Sequence, residues 1–397
     1  MVNNIHFSIL SAPDKTVIVD KASTNLQIGT VPATVAYDGK TWSVVGVADH
    51  AFSSCTELVS IELPQGMQSK NMGQSIFTGC SSLAAIVWNP DFGLTDAIMG
   101  VVENPNLLVY VTRSGYAPSS VVNRVINDRA DKIVLSDASG RGGNFYAPRA
   151  FTATTISYSH NYTMQTGYNS VAGWETIALP FTVQKIEHAS AGTLVPFGSY
   201  NASDPSQRPF WLFGYGSIGF SAVTTIQANR PFLIAMPNNT EYDSEYRLSG
   251  LVTFSAQNAQ VPATTSIITD KRGSKTFVPH FWSTGTRSDA YVMNVSNDVH
   301  SETGGYVAGS TFVRGLREMG PFEAYMTHGS GARQTLDIEF SETTGLLDLQ
   351  AGKEGVLRVW STGGLLLIET NNRAEFEKKM KQLPAGVYIV NGKKIIK

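Results

Sequence analysis

The chain has 397 residues, of which 42% are hydrophobic and 16% charged, with a net charge of −2. That length calls for two or three cores, and a weakly charged surface without a basic block excludes the neutralisation of nucleic-acid phosphates. The 36 glycines and 15 tyrosines favour strands and tight turns over helices, and no run of about 18 apolar residues is present to span a bilayer.

The N-terminus, MVNNIHFSIL, has neither a basic region nor a long apolar one, so it does not read as a signal peptide. Residues 31–52, VPATVAYDGKTWSVVGVADHAF, read as a hairpin in which VAY and WSVVGV flank Asp38-Gly39-Lys40. Asp-Gly between apolar runs is the strongest short hairpin signal. Next, Phe52, Cys55, Leu58 and Ile61 return 25 positions later as Phe77, Cys80, Leu83 and Ile86. Apolar residues at steps of three describe a short helical or 3₁₀ turn that leads into a strand, and a period in the twenties signals a leucine-rich solenoid. A weaker third coil is expected at Asn104, Leu107 and Tyr110, which stand 24 after Cys80, Leu83 and Ile86. Asparagine suits the inward corner because its amide can bond the turn backbone. So short a stack exposes apolar ends. The hairpin is expected to cap one, and Val122, Val125, Ile126 and Ile133, at near-helical spacing, predict a capping helix at the other.

Cys55 and Cys80 fall at the same phase of the repeat. Stacked coils lie roughly 5 Å apart, which permits a disulfide, but parallel Cβ vectors suit its dihedral badly. Two buried free thiols acting as small hydrophobes are the favoured reading.

These residues carry a resemblance. Val31, Pro32, Thr34, Val35, Tyr37, Gly39, Lys40 and Trp42, then Ala51, Phe52, Cys55, Leu58, Ile61, Leu63 and Pro64, resemble the BspA-type leucine-rich repeats of Bacteroidetes surface proteins. The resemblance covers residues 31–90 and implies a secreted or cell-surface protein acting in adhesion or in host or matrix protein binding. The coils here are few and the insert QGMQSKNMGQS lengthens one, so the solenoid reads as a platform rather than a long horseshoe.

From about residue 148 short β-rich runs recur between Gly, Pro and Asn, and 148–340 reads as one all-β, sandwich-like domain. Its Gly173, Trp174, Thr176, Leu179, Pro180 and Phe181, with the later RPFLI and PFEAYM, resemble a module that follows such repeats in the same family. Residues 345–397 read as a small C-terminal β domain containing a charged helix, NNRAEFEKKMKQ. Leu383–Lys394 is similar to the β tail of many exported Bacteroidetes proteins, in some a sorting signal, although Gly363-Gly364 stands where Asp-Gly or Asn-Gly is usual. Residues 1–140 hold the hairpin and repeats. Repeats and tail together imply export, with any signal peptide already removed.

No chemistry stands out. His6, His50, His160, His188, His280, His300 and His328 never fall three to five apart, and paired zinc spacings are absent. Gly214–Gly219, GYGSIG, fits G-x-G-x-x-G, but a β-branched run follows where a dinucleotide site needs a helix. Ser217 has Tyr215 where the nucleophile elbow needs glycine. Glu302, Glu318 and Glu323 are candidates for a glycosidase pair and are better read as solvated. Trp174, Trp211, Trp282 and Tyr215 can stack on sugars if exposed, though burial is the commoner fate. The sequons at Asn161, Asn201, Asn238 and Asn294 read as turn chemistry. The expectation is therefore a mainly β, non-catalytic protein without metal or cofactor, whose protein or glycan ligand no residue identifies. The rival readings are a glycan-binding or carbohydrate-active accessory protein using the middle domain, and a structural component of a surface layer or fimbria.

Overall fold

A computed structural model describes residues 1–137, 143–166, 172–201, 203–240, 244, 246–283, 285–296, 307–329, 334–340, 356–361, 366–384, 387–390 and 393–396, with backbone only at 387 and 393–396. The chain is mainly β, with several sheets. It divides into two compact units: Met1–Tyr158, Ala256–Ser266 and Phe281–Ser283 in the first, and Ser159–Ser255, Ile267–His280 and Thr284–Lys397 in the second. Among the described residues no helix is long and apolar enough to cross a membrane.

The first unit opens with a four-stranded sheet in the order Ile5–Ser11, Thr16–Ala22, Lys40–Val47, Thr34–Tyr37. The Asp-Gly hairpin forms, with Tyr37 opposite Lys40 and both Asp38 (φ 49°) and Gly39 (φ 66°) left-handed, as a type I′ turn requires. The two N-terminal strands were not legible in the sequence. Val2, Ile5, Val17 and Val19 join the same core as Trp42 and Val44.

Beyond the hairpin, Ile28–Thr30, Ser60–Leu63, Ala85–Trp88, Leu108–Val111 and Asn123–Ile126 lie side by side in parallel. Ile61 pairs with Ile86 at the 25-residue offset seen in the sequence, and Ile86 pairs with Val109. Phe52, Leu58, Ile61, Phe77, Leu83 and Ile86 share one buried core, and the Phe52 and Phe77 rings lie 5.5 Å apart. The return segments are tied as well: Phe52 N–H donates to Ile76 C=O (3.1 Å) and Ile76 N–H to Ile98 C=O (2.9 Å).

Two local expectations need correction. Tyr110 does not take the place of Ile86; it pairs with Val87, and Val109 fills the inward position. The offset is 24 at the Asn104 corner but 23 along the strand, which turns Tyr110 to the opposite face because side chains alternate. Its hydroxyl donates to Arg149 C=O and its ring meets Phe151 edge-on at 6.0 Å. The helix expected over residues 122–133 is instead a hairpin of Asn123–Ile126 and Arg129–Ser136. Asn127 (φ 48°) and Asp128 (φ 60°) form another left-handed pair, which no helix accommodates but Asn and Asp tolerate in a turn.

In the second unit, one sheet runs Glu175–Ala178, Pro231–Ala235, Gln207–Gly216, Gly192–Pro196, Lys185–His188 and then residues 252–255. Another runs Asp270–Arg272, Lys275–Pro279, Ala324–His328, Tyr291–Met293, Thr311–Arg314, Thr335–Asp337. Trp211, Phe213 and Leu233 of the first pack in one core with Phe277, Phe312 and Met326 of the second, a sandwich-like arrangement. Trp360 and Ile389, from a four-stranded C-terminal sheet, enter the same core. The charged helix forms over Arg373–Gln382, capped by Asn372 Oδ1, which accepts from the Ala374 and Glu375 N–H groups. The Gly363-Gly364 turn lies outside the described residues.

The three motifs of the middle region meet. Thr176 pairs with Leu233, Asn229 N–H donates to Leu179 C=O (2.7 Å), and Ala178 N–H donates to Phe322 C=O (2.8 Å). Ala324 N–H completes the junction by donating to Thr176 Oγ1 at 2.9 Å. GWETIALPF, NRPFLI and PFEAYM are thus parts of one structural joint.

Candidate interaction surfaces

A stack of parallel strands normally offers the outer face of its sheet to a ligand. Here Ile61, Ile86 and Val109 point into the core, while Ser60, Ala85, Val87, Leu108 and Tyr110 point the other way and are nevertheless buried. The chain covers that face itself. Tyr146 and the partly buried Trp282 pack on Ala84 and Ala85, with their rings edge-on at 5.4 Å. Asn104 Nδ2 donates to Leu83 C=O (2.9 Å) and to Asn144 C=O (2.7 Å), and Asn144 Oδ1 accepts from Ser283 N–H (2.8 Å). Phe145 N–H donates to Phe281 C=O (2.8 Å). This fixes residues 143–147 and 281–283 over the strands.

The inward corners carry no reactive chemistry. Cys80 Sγ donates to Phe52 C=O (3.0 Å) and Cys55 Sγ to Ser23 C=O (3.8 Å), and both thiols are free and buried. Burial, reinforced by the neighbouring Cys55 sulfur, pushes Cys80 up to about 12, and burial raises Cys55 too. A thiolate is the reactive species. The native chain is therefore expected to resist an aromatic disulfide reagent at pH 8, with both thiols reacting only on unfolding; rapid native labelling would contradict this packing.

The flank of the stack is different. Its backbone ladder runs from residues 50–54 to 74–78 and on to 97–99, where Ser75, Ile76 and Phe77 N–H groups donate to Ala97, Ile98 and Met99 C=O. There it stops. Ile86 and Val109 are 23 positions apart, but Val109 pairs next with Arg124, only 15 further on. So short a return cannot cover the flank, and a groove of about 720 Å³ remains, walled by Met99, Val101, Val102, Leu107, Val121 and Val122. Val101 is 68% and Val122 62% exposed. Asp96 at its margin accepts from the hydroxyls of Ser119 and Ser120, bonds that hold its carboxyl below the usual range. A smaller hollow of about 330 Å³, which shares Val122, is lined by Arg124, Arg129, Asp131 and Lys132. Sequence reading missed this groove, although the shrinking strand spacing was its signal.

In the second unit several residues singled out from sequence have defined structural partners. Trp174, Trp211 and Tyr215 are buried in the core. Gly214–Gly219 closes a hairpin, Gly216 opposite Gly219, and Gly219–Ala222 continues as strand, so no helix N-terminus faces that turn. Glu323 receives both arms of Arg317 (2.8 and 3.2 Å). Glu302 and His300 lie outside the described residues. Asn238 and Asn294 are buried, and Asn294 Oδ1 accepts from the Ser310 and Thr311 N–H groups, 16 and 17 positions further on, which ties separate segments together; at the exposed Asn201 the bond is a local turn, with Oδ1 accepting from Ser203 N–H (3.1 Å), while Asn161 is exposed. His160 meets Glu175 at 2.9 Å, and His188 Nδ1 accepts from Ala191 N–H at 3.1 Å. Among the described residues no three His, Cys, Asp or Glu side chains gather as a metal site.

His280 yields a pH prediction. Burial, then the nearby Arg287 and Arg317 charges, lower its pKa to about 4. The folded state thus binds a proton less readily than the unfolded chain, whose histidine titrates near 6.5. The stabilisation is present above pH 6.5 and lost as pH falls towards 4, amounting to about 3 kcal/mol. Urea unfolding at pH 7 and pH 4.5 should show this loss in the wild type and much less of it in His280→Leu. Equal losses in the two proteins would refute it.

Comparison with protein-family models, with curated proteins and with solved structures finds no match.

Proposed function

We propose that the chain is a non-catalytic bacterial interaction protein, secreted or held at the outer cell surface, which binds host or matrix proteins in adhesion. In this reading the parallel stack is a short BspA-like leucine-rich solenoid with a hairpin cap. The second unit supplies the sandwich-like middle domain and the small C-terminal β domain of an exported protein. The observation that carries it is the register-matched stack, Ile61 to Ile86 to Val109, that ends in an open groove where Val101 and Val122 are exposed. Exposed aliphatic surface concentrated in a groove marks an interaction site. The covered sheet face supports a site on the flank instead.

The glycan alternative relied on an aromatic platform of four rings, and burial of Trp174, Trp211 and Tyr215 leaves only the partly buried Trp282 to support it. The test is binding of the full chain to a mixed panel of matrix proteins and glycans at physiological salt. A saturable protein hit is expected. A saturable glycan hit with no protein hit would overturn the proposal.

A further inference from the structure

We infer that the groove at the last coil takes a cationic, aliphatic segment of a partner protein, laid extended along the flank. The inference rests on the protein-binding reading above and names the partner's chemistry. The groove occupies the position where the return segment of another full coil would run, so its long axis follows the flank ladder. Its exposed apolar side chains are the aliphatic Val101 and Val122, with Met99, Leu107 and Val121 buried beneath, so it favours branched or straight aliphatic side chains over aromatic platforms.

Charge sets the rest of the specificity. Asp96 and Glu103 line the groove and no lysine or arginine does. Neither acid has a cationic partner among the described residues. Asp96 is fixed by Ser119 and Ser120 instead, and the nearby Arg124, which donates to the Ser119 and Val121 C=O groups, lines the neighbouring hollow and not this groove. A segment alternating lysine or arginine with aliphatics places its charges against these acids and its apolar side chains on the valines. Strand addition is not the mode at this end of the ladder, because Met99 and Gly100 N–H groups already donate to Thr95 and Asp96 C=O. Affinity must come from apolar contact and screened charge, on the order of micromolar for so small a surface.

The experiment is fluorescence anisotropy of the full chain with a labelled octapeptide alternating lysine and valine, beside glutamate–valine and lysine–serine peptides. The lysine–valine peptide should bind saturably, weaken with salt, and bind about tenfold less well to Asp96→Asn/Glu103→Gln. Binding should be lost in Val122→Lys, and neither control peptide should bind comparably. Melting temperatures of the variants report that they remain folded. Absence of lysine–valine binding to the wild-type chain, binding indifferent to both variants, or tighter glutamate–valine binding would overturn the inference. The two levels separate on the panel partner. If its binding is lost in Val122→Lys but unaffected by Asp96→Asn/Glu103→Gln, the cationic segment is overturned and the interaction site stands; no protein partner at all overturns the reading beneath it.

Discussion

Replacing Gly173 by alanine is expected to destabilise the second unit by about 4 kcal/mol and to lower its melting temperature by roughly 10 °C. Gly173 has φ +81°, and an added Cβ would lie 2.5 Å from Thr166 Cα and 2.6 Å from Gln165 C=O, both backbone. Neither neighbour can rotate away. The same residue fixes the start of a core strand: its N–H donates to Ala308 C=O, and the next residue, Trp174, donates to Gly309 C=O. Gly273 provides the control, since its φ is +57° but nothing lies within 4 Å of a Cβ added there. Gly273→Ala carries the left-handed strain alone, about 1 kcal/mol. Thermal melts of the two variants therefore separate strain from collision. Equal losses would show that the 165–166 backbone yields, against the packing described.

The second large effect lies in the NRPFLI motif. Arg230 donates through Nε to Asp270 Oδ2 (3.0 Å) and through Nη2 to Oδ1 (2.8 Å), and Asp270 is only 8% exposed. Removing one partner strands the other charge in a poorly solvated place. Arg230→Met is accordingly expected to cost about 3 kcal/mol or more in urea unfolding. Arg230→Lys should fall between, because an ammonium keeps the charge but not the two-pronged geometry. Arg230→Met combined with Asp270→Leu should recover most of the loss, since no buried charge then remains. A single variant as destabilised as the double would mean that apolar packing of the arginine stem, rather than its charge, holds the joint.

How far the sequence revealed this molecule depends on the kind of signal. Asp38-Gly39 named its turn because few residue pairs accept two left-handed conformations, and Asn127-Asp128 carried the same information. There, however, Val122, Val125, Ile126 and Ile133 happen to fall at helical spacing, which masks the alternation of Val125, Ala130, Ile133 and Leu135. The repeat was visible because Phe52, Cys55, Leu58 and Ile61 each fill a fixed inward site. Tyr110 misled because the corner and the strand of the third coil are offset by different lengths. Burial on both faces was written in AIVW and LVYV, which are continuous apolar runs rather than alternating ones. The covering segment 143–147 could not be read from local pattern, since it meets residues 281–283 across more than a hundred positions of chain. The groove arises from an absent length of chain, so its signal lay in the strand spacing, 23 and then 15, and not in any residue type.

In the function proposed above, this chain meets its partner through the flank of the last coil rather than through its sheet face or an aromatic platform. The most direct measurement takes the panel partner of the wild-type chain and determines its affinity for Val101→Lys/Val122→Lys and for Trp282→Ala. Trp282 is the partly buried aromatic over the covered face, so it reports on the competing surface. The double lysine variant should lose binding while remaining folded, and Trp282→Ala should bind as the wild type does. Loss of binding in Trp282→Ala, with the double lysine variant unaffected, would contradict it.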